Sequence, residues 1–125
     1  MILLDSSVLI ELFRAHDKTK TLFYKLAATE NNFAISIITH YEVFLGSNDD
    51  QDSFWNDFIN SIEILDFNLQ TSNQAINIYK QLKKNNKLID LADILIAATS
   101  ISYKTPLATL NLKHFQRIND LEVVT

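Results

Sequence analysis

Short apolar segments alternate with longer amphipathic segments along this chain, and this alternation limits the folds it can adopt. Glycine and proline occur once each, at Gly46 and Pro106, so the connections must be short and most of the chain must be regular. The apolar segments predict strands at residues 2–4, 33–36, 63–65, 106–109 and 122–124. Helical spacing of apolar residues predicts one helix that begins after residue 7. It predicts six more at about 17–28, 38–45, 51–60, 71–86, 91–103 and 112–117.

Strands that alternate with helices in this way are typical of an α/β fold. We predict three layers: a mostly parallel central sheet of about five strands, with helices on both faces. Such sheets bind ligands just outside the carboxyl ends of their strands. The side chains that follow each predicted strand are therefore the first candidates for a functional site.

Length and composition narrow the possible functions. The chain has 125 residues, which suits one domain over 1–125. It has no cysteine, so a thiolate metal site is excluded, and its longest apolar run, at 94–98, is too short to span a membrane. The net charge of −4 gives no overall attraction for nucleic acid. If the chain binds RNA, a local basic patch or a bound metal must offset the repulsion.

Asp5 directly follows the first predicted strand. Its position at the carboxyl end of a strand favours a functional role. The alternative is that Asp5 caps the next helix, since Asp is a good N-cap residue. Ser6 and Ser7 offer hydroxyl groups that would cap the helix equally well, so the Asp5 carboxylate is partly free for another task.

Glu42 lies in the helix predicted after the second strand. It shares a helix face with Ile38 and Leu45, which are four residues before it and three after it. A carboxylate on an apolar face costs free energy unless a pocket or a metal compensates for its burial. The alternative is the ordinary one for a helical glutamate, a side chain that faces solvent.

Asp93 is the only charged residue in the apolar segment at 91–98. A helix that is apolar nearly all round is buried, and an unpaired buried carboxylate would cost several kcal/mol. This favours a functional role. The alternative is structural: if Asp90 is the N-cap, Asp93 is the third helical residue, where an acid stabilises the helix start and can accept the N–H of the cap residue.

Three carboxylates at the ends of neighbouring elements would form an oxygen-only metal site. The three histidines, His16, His40 and His114, show no paired spacing, and hard oxygen ligands favour Mg²⁺ or Mn²⁺ over Zn²⁺. Such an ion suits metal-assisted hydrolysis of a phosphodiester bond. Crowding of three acids should also raise the pKa of the last one to ionise when no metal is bound.

Four short segments resemble the VapC type of PIN domain, the ribonuclease toxins of toxin–antitoxin pairs. Each segment is short, but their order and spacing match this family over essentially the full chain. The segments are residues 2–10, 36–46, 92–99 and 107–115.

The resemblance implies specific roles for six residues. Asp5, Glu42 and Asp93 fall on the acidic catalytic and metal-binding positions of the family. The supporting positions are matched by Ser7 and, in the closing motif after the fourth predicted strand, by Thr109 and Asn111. Apart from the resemblance, Thr and Asn there are ordinary turn residues. Many members have a fourth Asp where this chain has Asn111, which weakens a second metal site.

The resemblance also implies an activity and partners. The chain would be a Mg²⁺- or Mn²⁺-dependent ribonuclease that acts as a cytoplasmic toxin. A small cognate antitoxin would inhibit it, and it would form a homodimer.

Three other interpretations are open. A catalytically inactive PIN-like module would bind RNA or serve as a scaffold, but it would be expected to lose at least one of the three acids. A receiver-like phosphoryl-relay domain is also a small parallel α/β unit, but it should carry an acidic pair after the first strand, where this chain has Asp5 alone. The third is an α/β domain whose carboxylates are incidental.

Overall fold

A computed structural model of the chain describes all 125 residues and contains a five-stranded sheet surrounded by helices. The strands are β1 (Ile2–Leu4), β2 (Phe33–Ser36), β3 (Glu63–Leu65), β4 (Leu107–Ala108) and β5 (Val123–Val124). The helices are α1 (Ser6–Arg14), α2 (Leu22–Ala27), α3 (Ile37–Leu45), α4 (Asp49–Ile59), α5 (Leu69–Lys84), α6 (Leu91–Ser102) and α7 (Leu112–Phe115). None of these helices combines the length and apolar character needed to cross a bilayer.

All neighbouring strands are parallel, in the order β3-β2-β1-β4-β5. The predicted parallel sheet of about five strands is therefore confirmed. From the central β1, the chain adds β2 and β3 on one side and then crosses to add β4 and β5 on the other. The order reverses between β1 and β4, and the crevice at such a point is where open parallel sheets bind ligands. The receiver-like order, 2-1-3-4-5, is different, which excludes that alternative.

Alternate side chains of the strands enter two separate hydrophobic cores, because successive residues of a strand point to opposite faces. Leu3 and Leu107 belong to one core, together with side chains of α5, α6 and α7. Leu4 and Ala108 belong to the other core, which includes side chains of α1, α2, α3 and α4. The helices thus cover both faces of the sheet, as predicted.

The single helix predicted at 17–28 is only partly correct. The segment at 17–28 forms a 3₁₀ turn at Lys18–Lys20 and a separate short helix, α2. The Asp17 carboxylate accepts the Thr19 N–H, and the Thr21 hydroxyl accepts the Tyr24 N–H. Each side chain begins a new helical turn, so the two turns do not merge.

A fixed turn joins α5 to α6. Asn86 has a φ of 56°, in the left-handed region that Asn tolerates better than most residues. The Lys87 N–H donates to the Leu82 carbonyl at 2.8 Å, and the Asn86 N–H donates to the Lys83 carbonyl. These two hydrogen bonds form a Schellman motif, which closes α5 and directs the chain toward α6.

Candidate active site

The structure brings the three predicted acids to one pocket. Asp5 directly follows β1, Glu42 lies on α3 and Asp93 lies in the first turn of α6. The pocket opens at the carboxyl ends of β1 and β4, where the strand order reverses. Its lining residues are Asp5, Ser6, Ser7, Ile10, Glu11, Arg14, Glu42, Asp93, Leu110 and Asn111.

Asp5 is the most buried of the three acids, with only 2% of its surface exposed. Its Oδ2 atom accepts hydrogen bonds from the Ser7 and Thr109 hydroxyls, both at 2.8 Å. No fully buried polar side-chain atom lacks a partner in this structure. Since Oδ1 of Asp5 accepts no hydrogen bond, it must reach the surface of the pocket.

Neither Ser6 nor Ser7, the alternative caps that the sequence offers, caps α1. Asp5 occupies the cap position, and its side chain makes no capping hydrogen bond. The Ser6 hydroxyl instead donates to Glu42, and the Ser7 hydroxyl donates to Asp5. The first N–H groups of α1 therefore have no side-chain cap, and the two serine hydroxyls instead fix the positions of the Asp5 and Glu42 carboxylates.

The segment after β4 is bound into the same network. The Thr109 hydroxyl donates to Asp5 and accepts the Asn111 N–H at 2.9 Å. The Ser7 hydroxyl accepts the Leu110 N–H at 3.0 Å. The Asn111 side chain makes no hydrogen bond within the protein and lines the pocket. The three predicted supporting residues are therefore within or directly beside the hydrogen-bond network of Asp5.

Glu42 reaches the pocket for a reason that the sequence did not suggest. The predicted apolar face of α3 is wrong, because Leu45 is 71% exposed and the buried side chains are Thr39 and Val43. Glu42 is itself exposed and lies at the rim of the pocket. The Ser6 hydroxyl holds it there by donating to Oε1 at 2.7 Å.

Asp93 is partly buried, and its only side-chain partner is His114. The His114 Nδ1 atom lies 3.2 Å from Oδ2 of Asp93. The predicted alternative, in which Asp93 accepts the N–H of the cap residue Asp90, does not occur. His114 was missed as a site residue because it is 21 residues from Asp93 and on a separate short helix. No spacing rule connects the two.

Burial raises the pKa of the Asp93 carboxyl above its ordinary value. The hydrogen bond from His114 opposes this increase, and the negative charge of Asp5 adds to it. The expected crowding of acids thus contributes to the higher pKa, but loss of contact with water contributes more. A bound cation would reverse the balance by stabilising the ionised form.

The carboxylate oxygens in the pocket have the chemistry that a hard cation needs, although the three acids are too far apart to bind one ion as they stand. No three Asp, Glu or His side chains lie close enough to form a ready-made metal-binding group. Binding of an ion would require the three carboxylates to move closer to one another. Oδ1 of Asp5, Oε2 of Glu42 and Oδ1 of Asp93 accept no hydrogen bond from the protein, so each acid has an oxygen available. Carboxylate oxygens are the donors that Mg²⁺ and Mn²⁺ prefer.

Comparison with known families decides the relationship. The model of the PIN domain matches residues 2–121. The chain belongs to the PIN-domain family. This PIN domain is 39% identical to Ribonuclease VapC1 of Methanocaldococcus jannaschii over 120 residues, which cover 95% of this chain and 82% of the relative. It is 34% identical to Ribonuclease VapC3 of the same organism over 95 residues, which cover 76% and 93% of the two chains.

A solved structure gives the same relationship. The PIN domain superposes on VapBC2 from Rickettsia felis, bound to a DNA fragment from its promoter, with a TM-score of 0.84 and 27% identity. The match covers 99% of this chain and 98% of the other. The predicted membership in the VapC type of PIN domain is confirmed, and so is the prediction that the chain is an enzyme of the nuclease class.

The higher pKa of Asp93 predicts how stability depends on pH. The folded protein holds the Asp93 proton more tightly than the unfolded chain does, so ionisation costs folding free energy as pH rises from the ordinary Asp value through the raised one. With a chelator present, wild type should lose more thermal stability over this interval than Asp93→Asn. Melting temperatures from pH 3 to pH 8 measure this difference. If the melting temperatures of the two proteins changed with pH in parallel, the pKa of Asp93 would not be raised in the folded protein.

Proposed function

We propose that this PIN domain is a Mg²⁺- or Mn²⁺-dependent ribonuclease that acts as the toxin of a toxin–antitoxin pair. The observation that carries the proposal is the pocket in which Asp5, Glu42 and Asp93, from three separate elements, each have an oxygen free of protein hydrogen bonds. The names of the relatives, Ribonuclease VapC1 and VapC3, support RNA as the substrate. We assign the activity to residues 1–125 as one domain.

The chain's own residues can hold and orient the reacting groups. Asp5 would be the fixed ligand of the cation, because two hydroxyls and its burial restrict its side chain. Asp93 and Glu42 would complete the ligand set, and Asn111 has an amide that can donate to a phosphate oxygen. When bound, the divalent ion supplies an activated water and offsets the charge of the phosphate. His114 and Ser6 orient the two acids that they contact.

Substitution of Asp93 tests this proposal directly. Asp93→Asn keeps the size of the side chain but removes one negative charge from the cation ligands, so RNA cleavage in Mg²⁺ or Mn²⁺ should fall by more than about 100-fold. Asp90→Asn is the matched control, because Asp90 is an exposed acid three residues away whose side chain makes no hydrogen bond. Cleavage of a structured RNA is measured beside circular dichroism of the same samples.

Asp90→Asn should cleave like wild type. If Asp93 served only to stabilise the start of α6, Asp93→Asn would remain folded and cleave RNA normally, costing at most about 1 kcal/mol of stability. That result would overturn the assignment.

We also propose that a small antitoxin inhibits the chain by occupying the pocket. A toxin–antitoxin complex from Klebsiella pneumoniae is a related structure, with a TM-score of 0.80 and 27% identity, over 100% of this chain and 97% of the other. Beside the acidic pocket lies a second pocket, half of whose lining residues are apolar, and the two share Ile10, Arg14 and Glu42. A segment with apolar side chains and one Arg or Lys would fit both pockets.

Loss of the pocket charges should weaken this partner. The double variant Glu42→Gln/Asp93→Asn should bind the cognate antitoxin at least about tenfold more weakly, since a hydrogen bond to a charged group is worth about 1.5–3 kcal/mol. Glu63→Gln/Asp120→Asn is the control, because both acids are exposed and lie at the amino end of the sheet: Glu63 is the first residue of β3, and Asp120 lies three residues before β5. Calorimetric titration gives both affinities. Equal affinity in the two variants would show that the antitoxin is anchored elsewhere.

The cytoplasmic location and the homodimer stay predictions of the family resemblance.

A further inference from the structure

Positive charge is concentrated in one part of the chain. Residues 80–117 carry seven Lys and Arg but only two Asp and Glu. The rest of the chain carries four Lys and Arg and thirteen Asp and Glu. The segment therefore has a local charge of opposite sign to the net charge of −4. One of its cations, Lys104, lies beyond the last residue of α6, at the end of that helix away from Asp93. Two more, Lys80 and Lys83, lie on α5, and the Lys83 ammonium lies 5.9 Å from the centre of the Tyr79 ring.

Four of these cations lie around the amino end of α6, and we call them the basic rim. Lys84 is in the last turn of α5, and Lys87 is the last residue of the Schellman motif that closes α5. Lys113 is on α7, and Arg117 is in the turn just after it. All four are exposed. Lys87 and Arg117 line a single shallow cleft with Asn86 and Gln116.

Arg117 of the basic rim is held in place by hydrogen bonds, but none of the four rim cations is neutralised by an acid. The Arg117 guanidinium donates to the carbonyl of Leu88 at 3.3 Å, which links the turn after α7 to the segment before α6. The two ion pairs of the protein are Met1 with Glu30 and His114 with Asp93. None of the four rim cations has an acidic partner. A cluster of unpaired cations on an acidic protein is the electrostatic pattern expected of a polyanion-binding surface.

The basic rim is adjacent to the acidic pocket. His114 contacts Asp93 in that pocket, and its chain neighbour Lys113 belongs to the rim. Asn111, the N-cap residue of α7, lines the pocket itself. One short helix thus contributes to both surfaces. A strand that placed one phosphate at Asp93 would therefore continue over the rim.

We propose that the basic rim binds the phosphate backbone of the RNA next to the scissile phosphodiester. This inference rests on the proposed ribonuclease function. Backbone contacts position a strand without selecting its sequence, so the rim sets substrate affinity and the direction in which the strand leaves the pocket. The rim also supplies the local positive charge that an acidic protein needs in order to bind RNA.

The test is RNA binding by the double variant Lys87→Gln/Lys113→Gln. Arg117 is left unchanged because it makes structural hydrogen bonds. The matched control is Lys20→Gln/Lys25→Gln, which removes the same charge from exposed residues in and before α2, the helix at the other face of the sheet. Fluorescence anisotropy of a labelled single-stranded RNA, with a chelator present to stop cleavage, gives the affinity over a series of KCl concentrations.

The rim variant should bind RNA at least about tenfold more weakly than the control at about 0.1 M salt. Its plot of log affinity against log salt should be shallower by about 1.4, since each phosphate contact to a single strand contributes about 0.7. In Mg²⁺, KM for RNA cleavage should rise by a similar factor with kcat nearly unchanged, because the lost contacts are equal in the ground and transition states.

The outcomes separate this inference from the proposed function. If wild type cleaves RNA and the rim variant binds it like the control, the rim assignment is wrong and the ribonuclease assignment stands. If wild type neither binds nor cleaves RNA, the proposed function fails and the rim assignment fails with it. A rim variant that loses binding to phosphatidylglycerol vesicles or to the antitoxin, but keeps its affinity for RNA, would also overturn the inference.

Discussion

The buried carboxylate of Asp5 is the interaction on which the site depends. It lies at the carboxyl end of the central strand, where burial without hydrogen bonds would be costly. Two hydroxyls, from Ser7 and Thr109, satisfy one of its oxygens and join the start of α1 to the end of β4. The other oxygen remains for the pocket. The two hydrogen bonds that offset the cost of burying the Asp5 carboxylate therefore also orient it as a ligand of the proposed cation.

The charge distribution extends this arrangement to the surface. Asp5, Glu42 and Asp93 concentrate negative charge at the switch point of the sheet, which favours a cation and repels a phosphate. The cation would remove that repulsion at the reacting group, while the basic rim offsets it along the rest of the strand. An acidic protein can bind RNA in this way because the acidic pocket and the basic rim, which carry opposite charges, lie next to each other. The short helix α7 is common to both regions.

The sequence predicted the parts of the site that follow from local rules. Asp5 was found because it directly follows a strand, and Asp93 because it is the lone charge in an apolar helix. Glu42 was correctly placed at the pocket but for a wrong reason, since its helix buries a different face. His114 was missed because tertiary packing alone brings it to Asp93. The helix predicted at 17–28 was only partly correct because two side-chain caps divide the segment, and propensity does not resolve such caps.

The central claim is that the three acids jointly hold a divalent metal ion. Anomalous diffraction from crystals soaked in Mn²⁺ tests it most directly. The account predicts one strong peak in the pocket, bonded to carboxylate oxygens of Asp5 and Asp93, with Glu42 bound directly or through water. The peak should be lost in crystals of Asp93→Asn. Mn²⁺ bound only outside this pocket, in a protein preparation that cleaves RNA, would contradict the account.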